Sequence, residues 1–435
     1  MHAWYAGPAA TIFWTGFVGT EEIENGAAMR KKLGPFVGVD NRHPSDLSIS
    51  VERARMDLLA AAVNVDLVQG GKVRRRAGFT QLLDQRVHSL WGDGDELGYG
   101  VLGTDLVAID GNGFAKVVQG GMPERVPVSF TRRAGVVFWA NGLRMGAVIG
   151  DQPVQPTPAL QHLPTVAVLH DGGLQAGTYQ LVFTLSGVLG EGPATEPVAV
   201  DVPDNGCIQI LGMVEPEGLV LNTYITAPNG TVFNGVEVAR YADQGRIAVL
   251  DDAGAQAETM GLVALPVGTV VRSQDARLLT AKENLLFYSE PFAPLLAKPT
   301  NFIAFEDRIC MVRPCGGGVF VGTTAATYWL AGDLSGADLA QVLPYGALAH
   351  SDCVSPRDSD VVFWHSPRGV IRGLGSGAVQ AVQQERLALS GGKSAATYVR
   401  ERNGQTHVIA AVQAPQKTQG AVYASIDAQV IRRSL

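Results

Sequence analysis

The sequence is short of charge. Asp, Glu, Lys and Arg make up 17% of its 435 residues, which disfavours both a disordered chain and long solvated helices. It has no run of about 20 uninterrupted apolar residues, so no membrane-spanning helix is expected. Cysteine is scarce: Cys207, Cys310, Cys315 and Cys353 are the four. Cys310 and Cys315 have a C-x4-C spacing but no second pair, so they are weak metal candidates. A set completed by His350 and Cys353 is conceivable, while the plainer reading is reduced thiols buried in sheets. No metal and no cofactor is expected.

Catalytic signatures are missing as well. Gly316-Gly317-Gly318 is not followed by the Gly-Lys-Ser/Thr of a phosphate loop. No G-x-S-x-G elbow, H-E-x-x-H or paired-carboxylate signature stands out. His365 and Ser366 are neighbours, and neighbours on a strand point to opposite faces, so they cannot readily pair as base and nucleophile. Asp93 and Asp95, beside Gly92 and Gly94, make half a calcium loop without its final Glu, and read better as a hairpin tip. The chain is therefore expected not to be an enzyme. The formal net charge of −7 argues against a basic nucleic-acid binder. It suits a surface that DNA must pass without sticking, since phosphate binding needs concentrated Lys and Arg.

What the chain has in quantity is glycine, 52 residues, with 23 prolines, the composition of many short strands joined by turns. One phrase occurs three times: Val136-Val137-Phe138-Trp139-Ala140-Asn141-Gly142, Leu285-Leu286-Phe287-Tyr288-Ser289-Glu290-Pro291 and Val361-Val362-Phe363-Trp364-His365-Ser366-Pro367. Four apolar residues in succession predict a strand buried on both faces, and the polar turn after them a hairpin or meander. Such a unit, repeated, points to an all-β array such as a propeller.

Residues 86–150 read as strands every 8 to 12 residues. Pro153, Pro156, Pro158 and Pro164 then mark a linker. About seven short strands between 163 and 257 suggest a fibronectin-like or immunoglobulin-like sandwich, without the Cys-Trp-Cys pattern of an antibody-type domain. The Phe287 and Phe363 copies lie 76 residues apart, close to two blades of about 40 each. The Phe138 and Phe287 copies lie 149 apart, roughly one blade once an insertion of about 95 is removed. The expected organisation is a β-propeller-like array in two parts, 29–162 and 258–435, interrupted by a sandwich at 163–257.

The N-terminal region reads differently. Residues 1–28 are apolar and aromatic, then acidic, and lack the positive charge that opens a secretory signal. Met29-Arg30-Lys31-Lys32 looks like a translation start. The preceding residues are then an arm that packs on a neighbour, or an extension upstream of the start. Residues 49–64 carry Met56, Leu58, Leu59, Ala62 and Val63 at helical spacing behind a Ser50 cap, which predicts a helix. After Gly70-Gly71 comes the basic run Lys72-Val73-Arg74-Arg75-Arg76. As a strand it would contact phosphate or a partner's carboxylates, or serve as a solvated edge whose charge blocks aggregation.

Five phrases, in order, resemble the nozzle proteins of short-tailed bacteriophages, the tail tubular protein B family. They are Pro35-Phe36-Val37-Gly38-Val39-Asp40; Asn64-Val65-Asp66 with Gly70-Gly71-Lys72-Val73-Arg74-Arg75-Arg76-Ala77-Gly78-Phe79; Ala176-Gly177-Thr178-Tyr179 with Gly190-Glu191-Gly192-Pro193; Leu265-Pro266-Val267-Gly268 with Ala276-Arg277-Leu278-Leu279 and Leu286-Phe287-Tyr288-Ser289-Glu290-Pro291; and Gly318-Val319-Phe320-Val321-Gly322-Thr323 with Thr327-Tyr328-Trp329-Leu330 and Ser366-Pro367-Arg368-Gly369. The resemblance covers about residues 30–390; each phrase alone is an ordinary strand–turn pattern. It implies a virion tail protein, made in the host cytoplasm, that forms a six-fold ring beneath the portal and adaptor. It also implies tail-fibre or needle/plug partners and genomic DNA passing through the lumen. Residues 1–28 have no counterpart in the family, and the chain is shorter than many nozzles, which puts fibre attachment in doubt. Lys72, Arg74, Arg75 and Arg76 are the candidates for a subunit contact or the DNA channel. A second expectation is a module that binds host glycan or protein, with Trp91, Trp329 and Trp364 as stacking surfaces, although the apolar neighbours of Trp329 and Trp364 favour core packing. A propeller hydrolase would need a carboxylate pair that the sequence does not offer.

Overall fold

Val136–Ala140, the strand of the first repeated phrase, shows how this chain builds a core. In the computed structural model Phe138 and Trp139 are both almost fully buried, yet they belong to different apolar clusters. Trp139, with Val137, packs among Tyr99, Val101, Leu106, Phe130 and Val148. Phe138, with Ala140, packs among Ala147, Val271 and Leu278 on the opposite face. The phrase is apolar at every position because its sheet is covered on both sides. Each such large side chain contributes roughly 2–3 kcal/mol of burial. The second Phe-Trp pair repeats the device: Phe363 packs with Val399 and Val408, and Trp364 with Phe320 and Trp329.

The structure describes residues 36–42, 48–51, 54–59, 62–63, 65–68, 72–76, 81, 83, 85–92, 94, 96–250, 254–382, 392–402, 405–413 and 425–426. They divide into two compact units, Ser89–Ala304 and Met1–His88 with Phe305–Leu435.

The Ser89–Ala304 unit holds three four-stranded sheets whose strands pair in chain order. The first comprises Val87–Trp91, Gly98–Leu102, Asp105–Ile109 and Ala115–Gln119; the second Ser129–Arg133, Val136–Ala140, Met145–Ile149 and Gln152–Val154; the third Val270–Gln274, Arg277–Lys282, Leu285–Tyr288 and Phe302–Ala304. Between the second and third lie two further sheets. One has the order Thr165–Leu174, Gly206–Leu211, Gln244–Ile247, Ala239–Tyr241. The other is centred on Gly177–Gly187, with Gly190–Glu191 and Val198–Val202 along one side and Val220–Ile225 along the other. Tyr179, Leu181, Phe183 and Leu185 alternate along the central strand and meet Ile208, Ile210, Leu221 and Ile225 in one cluster, so the two sheets share a core.

The chain leaves for this two-sheet unit from one sheet and returns to the sheet packed against it. Ser129 fixes that junction: its Oγ accepts from Val271 N (3.1 Å) and Arg272 Nη1 (2.6 Å).

The other unit has two more four-stranded sheets in chain order: Ile309–Cys315, Gly318–Thr323, Thr327–Ala331 and Asp338–Leu343; then Cys353–Ser355, Asp358–Ser366, Gly369–Leu374 and Val379–Val382. Ser394–Arg402, Gln405–Gln413 and Ser425–Ile426 form a third. Arg313 Nε donates to Asp352 Oδ2 (2.6 Å), a nearly buried ion pair that ties the first sheet to the segment entering the second. Where one sheet follows another along the chain without interruption, their first residues lie 42, 39 and 44 apart in sequence (Val87 to Ser129, Val270 to Ile309, Ile309 to Cys353). Five four-stranded sheets at this period make the chain all-β and propeller-like.

The helix expected over 49–64 is absent. Ser48–Val51 and Ala54–Leu59 form an antiparallel hairpin instead (Ile49 opposite Met56, Val51 opposite Ala54), and Phe36–Val39 adds to it in parallel. Ile49 and Val51 are β-branched at a spacing of two. Pairing on both sides of Ala54–Leu59 outweighs the helical spacing of the later apolar residues. Residues 1–28 lie outside the described residues, as do Asp93 and Asp95.

Candidate functional site: a basic ribbon

The basic run forms the second strand of a two-stranded ribbon. Val65–Val68 and Lys72–Arg75 pair antiparallel, with Asp66 opposite Arg74 and Val68 opposite Lys72. Alternation places Lys72 and Arg74 on the face that carries Asp66, and Arg75 on the other face with Val73 and Val65. Lys72, Arg74 and Arg75 are exposed. Arg76 is not free: its Nε donates to Asp66 Oδ1 (2.9 Å) in a pair whose side chains are 23% and 16% exposed. Three of the four candidate cations are therefore available to a partner, and the fourth anchors the ribbon. Exposed cations on a ribbon bind an oxyanion, carboxylate or phosphate, by charge and hydrogen bonding.

The other residues singled out in the sequence have structural roles. Cys310 and Cys315 are buried on one strand and five residues apart, about 16 Å along an extended chain. Burial pushes the Cys315 thiol up to about 11, unlike a metal-bound thiolate. Among the described residues no three His, Cys, Asp or Glu side chains come together as a metal-holding group. Gly316 (φ +53°) and Gly317 turn the hairpin between Ile309–Cys315 and Gly318–Thr323. His365 is buried, and burial lowers its pKa to about 4. Its backbone N–H donates to Ser351 Oγ (3.1 Å), while Ser366 Oγ donates to Gly369 O (2.9 Å) within its own turn. The two side chains do not form a base–nucleophile pair. Trp329 and Trp364 flank Phe320 in the core, at ring-centroid distances of 4.4 and 5.1 Å, and are closed to a sugar. Trp91 is half-buried and stacks on Phe130 at 6.0 Å.

Two roles went unread in the sequence. Nothing local in its phrase marks Asp66 as the partner of Arg76, although an antiparallel register sets it opposite the basic strand. Glu191 gathers three donors on the outer face of the second sheet of the two-sheet unit. Its Oε1 accepts from Tyr224 OH (2.7 Å), from Asn222 Nδ2 (3.3 Å) and from Thr184 Oγ1. Burial, then the Glu191 carboxylate, raises the Tyr224 pKa.

The fold and the ribbon define a class, an all-β protein of the propeller type. No family model and no curated sequence matches the chain. Among solved structures, the WD40 propeller domain of Doa1 is similar over 79% of this chain and 83% of its own, at 10% identity and a TM-score of 0.33. Streptogramin B lyase is similar over 74% and 88%, at 9% identity and 0.32. The extracellular domain of a hybrid two-component system from B. thetaiotaomicron is similar over 74% of this chain at 8% identity and 0.31; the chain spans 36% of that longer one. Among the described residues no helix is long and apolar enough to cross a membrane.

Proposed function

We propose that this chain is an architectural virion protein, the nozzle subunit of a short-tailed phage tail. It extends the portal and adaptor channel as a ring, probed most directly as a hexamer, and DNA crosses its lumen on ejection. The observation that carries this reading is the order of the five phrases, joined to their place in the fold. Described parts of all five fall on strands or turns of the sheets. Their polar residues hold the framework: Glu191 receives its three donors, Ser289 Oγ accepts from Leu278 N (2.9 Å), and Glu290 Oε1 accepts from Asn301 Nδ2 (2.7 Å). Shared framework residues across several sheets are what a common architecture leaves in a sequence. The role is load and passage rather than catalysis, and neighbours in the tail, fibre and needle/plug proteins included, dock on its surface.

The test is electron microscopy of particles from a culture expressing this chain, with mass spectrometry to detect it in them. A symmetric ring of the chain in a short tail is the expected result. A monomer absent from all particles overturns the reading. A host-binding module is the second reading, favoured by the strongly exposed aromatics Tyr241 and Phe292. Binding of free monomer to a glycan array would shift weight to it.

A further inference from the structure

Charge is unevenly spread along this chain. Residues 165–247, the two-sheet unit, contain nine Asp and Glu against two Arg and no Lys, a formal charge of −7. That equals the charge of the entire chain, so everything outside the unit balances. Both arginines are already engaged, Arg240 with Glu215 and Arg246 with Asp171 (3.0 Å). Glu217, Glu237 and Asp243 are exposed, with no cation in ion-pair reach among the described residues.

Part of this acidity frames an apolar patch. Met213 N donates to Asp243 O (2.8 Å), which brings the segment after Met213 alongside the turn after Tyr241. Leu221 N donates to Glu215 Oε1 (3.0 Å) and draws Val220 to the same end. Tyr241 is 86% exposed, Val214 64% and Val220 57%. An aromatic and two aliphatics in the open, rimmed by Glu217, Asp243 and the Glu215–Arg240 pair, have the anatomy of an interface.

We propose that this acidic tip docks on the basic ribbon of a second copy of the chain, setting Glu217 and Asp243 against Lys72, Arg74 and Arg75. The ribbon supplies exposed cations, and the tip supplies exposed carboxylates without cations of their own. Where the tip of each copy meets the ribbon of the next and not of the one before, the contact is heterologous, running head to tail from copy to copy, and it closes where the rotation permits. Val214, Val220 and Tyr241 bury apolar area that charge alone would not provide. The contact rests on the ring reading for its closure, but the charge pairing is tested on the free chain.

The test is sedimentation velocity of the full chain over a range of concentrations at low and high salt. Four samples are compared: wild type, Arg74→Glu with Arg75→Glu, Glu217→Lys with Asp243→Lys, and an equal mixture of the two variants. Wild type is expected to self-associate more tightly at low salt, and each variant alone at least about tenfold more weakly. The mixture regains association, because each reversed surface meets its complement; recovery also shows that both variants are folded. A wild type monomeric throughout, a variant that associates like wild type, or a mixture that fails to recover overturns the proposal. So does binding of a short DNA duplex that is lost in the ribbon variant while its self-association stays intact, which would make the ribbon a phosphate surface. Self-association by a chain absent from phage particles would keep the contact and remove the nozzle reading. A chain found in tails whose variants associate normally would do the reverse.

Discussion

Gly146 shows how much single positions matter where a sheet is covered on both faces. It sits opposite Trp139 on the neighbouring strand, and a Cβ there would lie 2.7–2.9 Å from the indole ring. Gly146→Ala is expected to destabilise the Ser89–Ala304 unit by about 1–3 kcal/mol through overpacking, measured by urea denaturation; an unchanged midpoint would mean the indole has room to move. His365 predicts an acid dependence. Its folded pKa of about 4 lies below the 6.5 of a free imidazole, so the unfolded chain takes up the proton first. Its contribution is complete above about pH 6.5, declines as pH falls, and levels off below about 4, a loss of up to about 3 kcal/mol. In melts across this range the slope should flatten in His365→Phe; an equal slope in both proteins would assign it to other groups. Glu191→Ala leaves Tyr224 and Asn222 without their shared acceptor and should cost about 1–3 kcal/mol in the two-sheet unit, read by hydrogen exchange of Val220–Ile225. The Phe-Trp phrase announced its own burial because both faces had to be apolar. Glu191 did not, because its donors come from strands on both sides of it in the sequence, and only folding brings them together.

Strands with local partners were legible and the rest were not. The short strands expected over 86–150 are present, Gly98–Leu102 and Asp105–Ile109 among them, since alternation and turn chemistry act over a few positions. Within 163–257 the short Asn234–Gly235 and Ala239–Tyr241 lie close in sequence but on different sheets, which no local pattern announces. The pair Ser48–Val51 and Ala54–Leu59 carries a helix-like pattern because spacings of three and four also occur in a strand pair, and the partner strand Phe36–Val39 cannot be inferred from within the segment. The Phe phrase also misleads as a ruler: it is the second strand of its sheet at Phe138 and Phe363 but the third at Phe287. Sheet starts give the cleaner period. At this scale Asp352→Ala should be costly, about 3–5 kcal/mol, because it leaves the Arg313 guanidinium nearly buried without its carboxylate. The loss is expected as faster hydrogen exchange along Ile309–Cys315 and Cys353–Ser355; protection equal to wild type would show that water replaces the partner.

At the scale of the molecule, the net charge of −7 hid a partition, an acidic two-sheet unit within an otherwise balanced chain. Counting charge by segment would have revealed it; counting by chain could not. The direct junction between the 129–154 and 270–304 sheets gives a further expectation. A chain in which 163–257 is replaced by a short Gly/Ser linker should still express, with a cooperative melt for the remaining sheets, because the Ser129–Val271 bond and all of the buried residues around Phe138 lie outside the removed segment, which takes only the half-buried Leu189 from that cluster. Loss of that transition would show that the two-sheet unit props the junction. The same junction has a mechanical meaning. The two-sheet unit is joined to the scaffold by two linkers whose roots are clamped together, with Leu189 seated on the clamp, so a pull on it divides between parallel tethers and closes through the clamp. Traction there strains one seam instead of unzipping sheets in series, and the unit can be tugged, or even unravelled, while the scaffold that carries it keeps its shape.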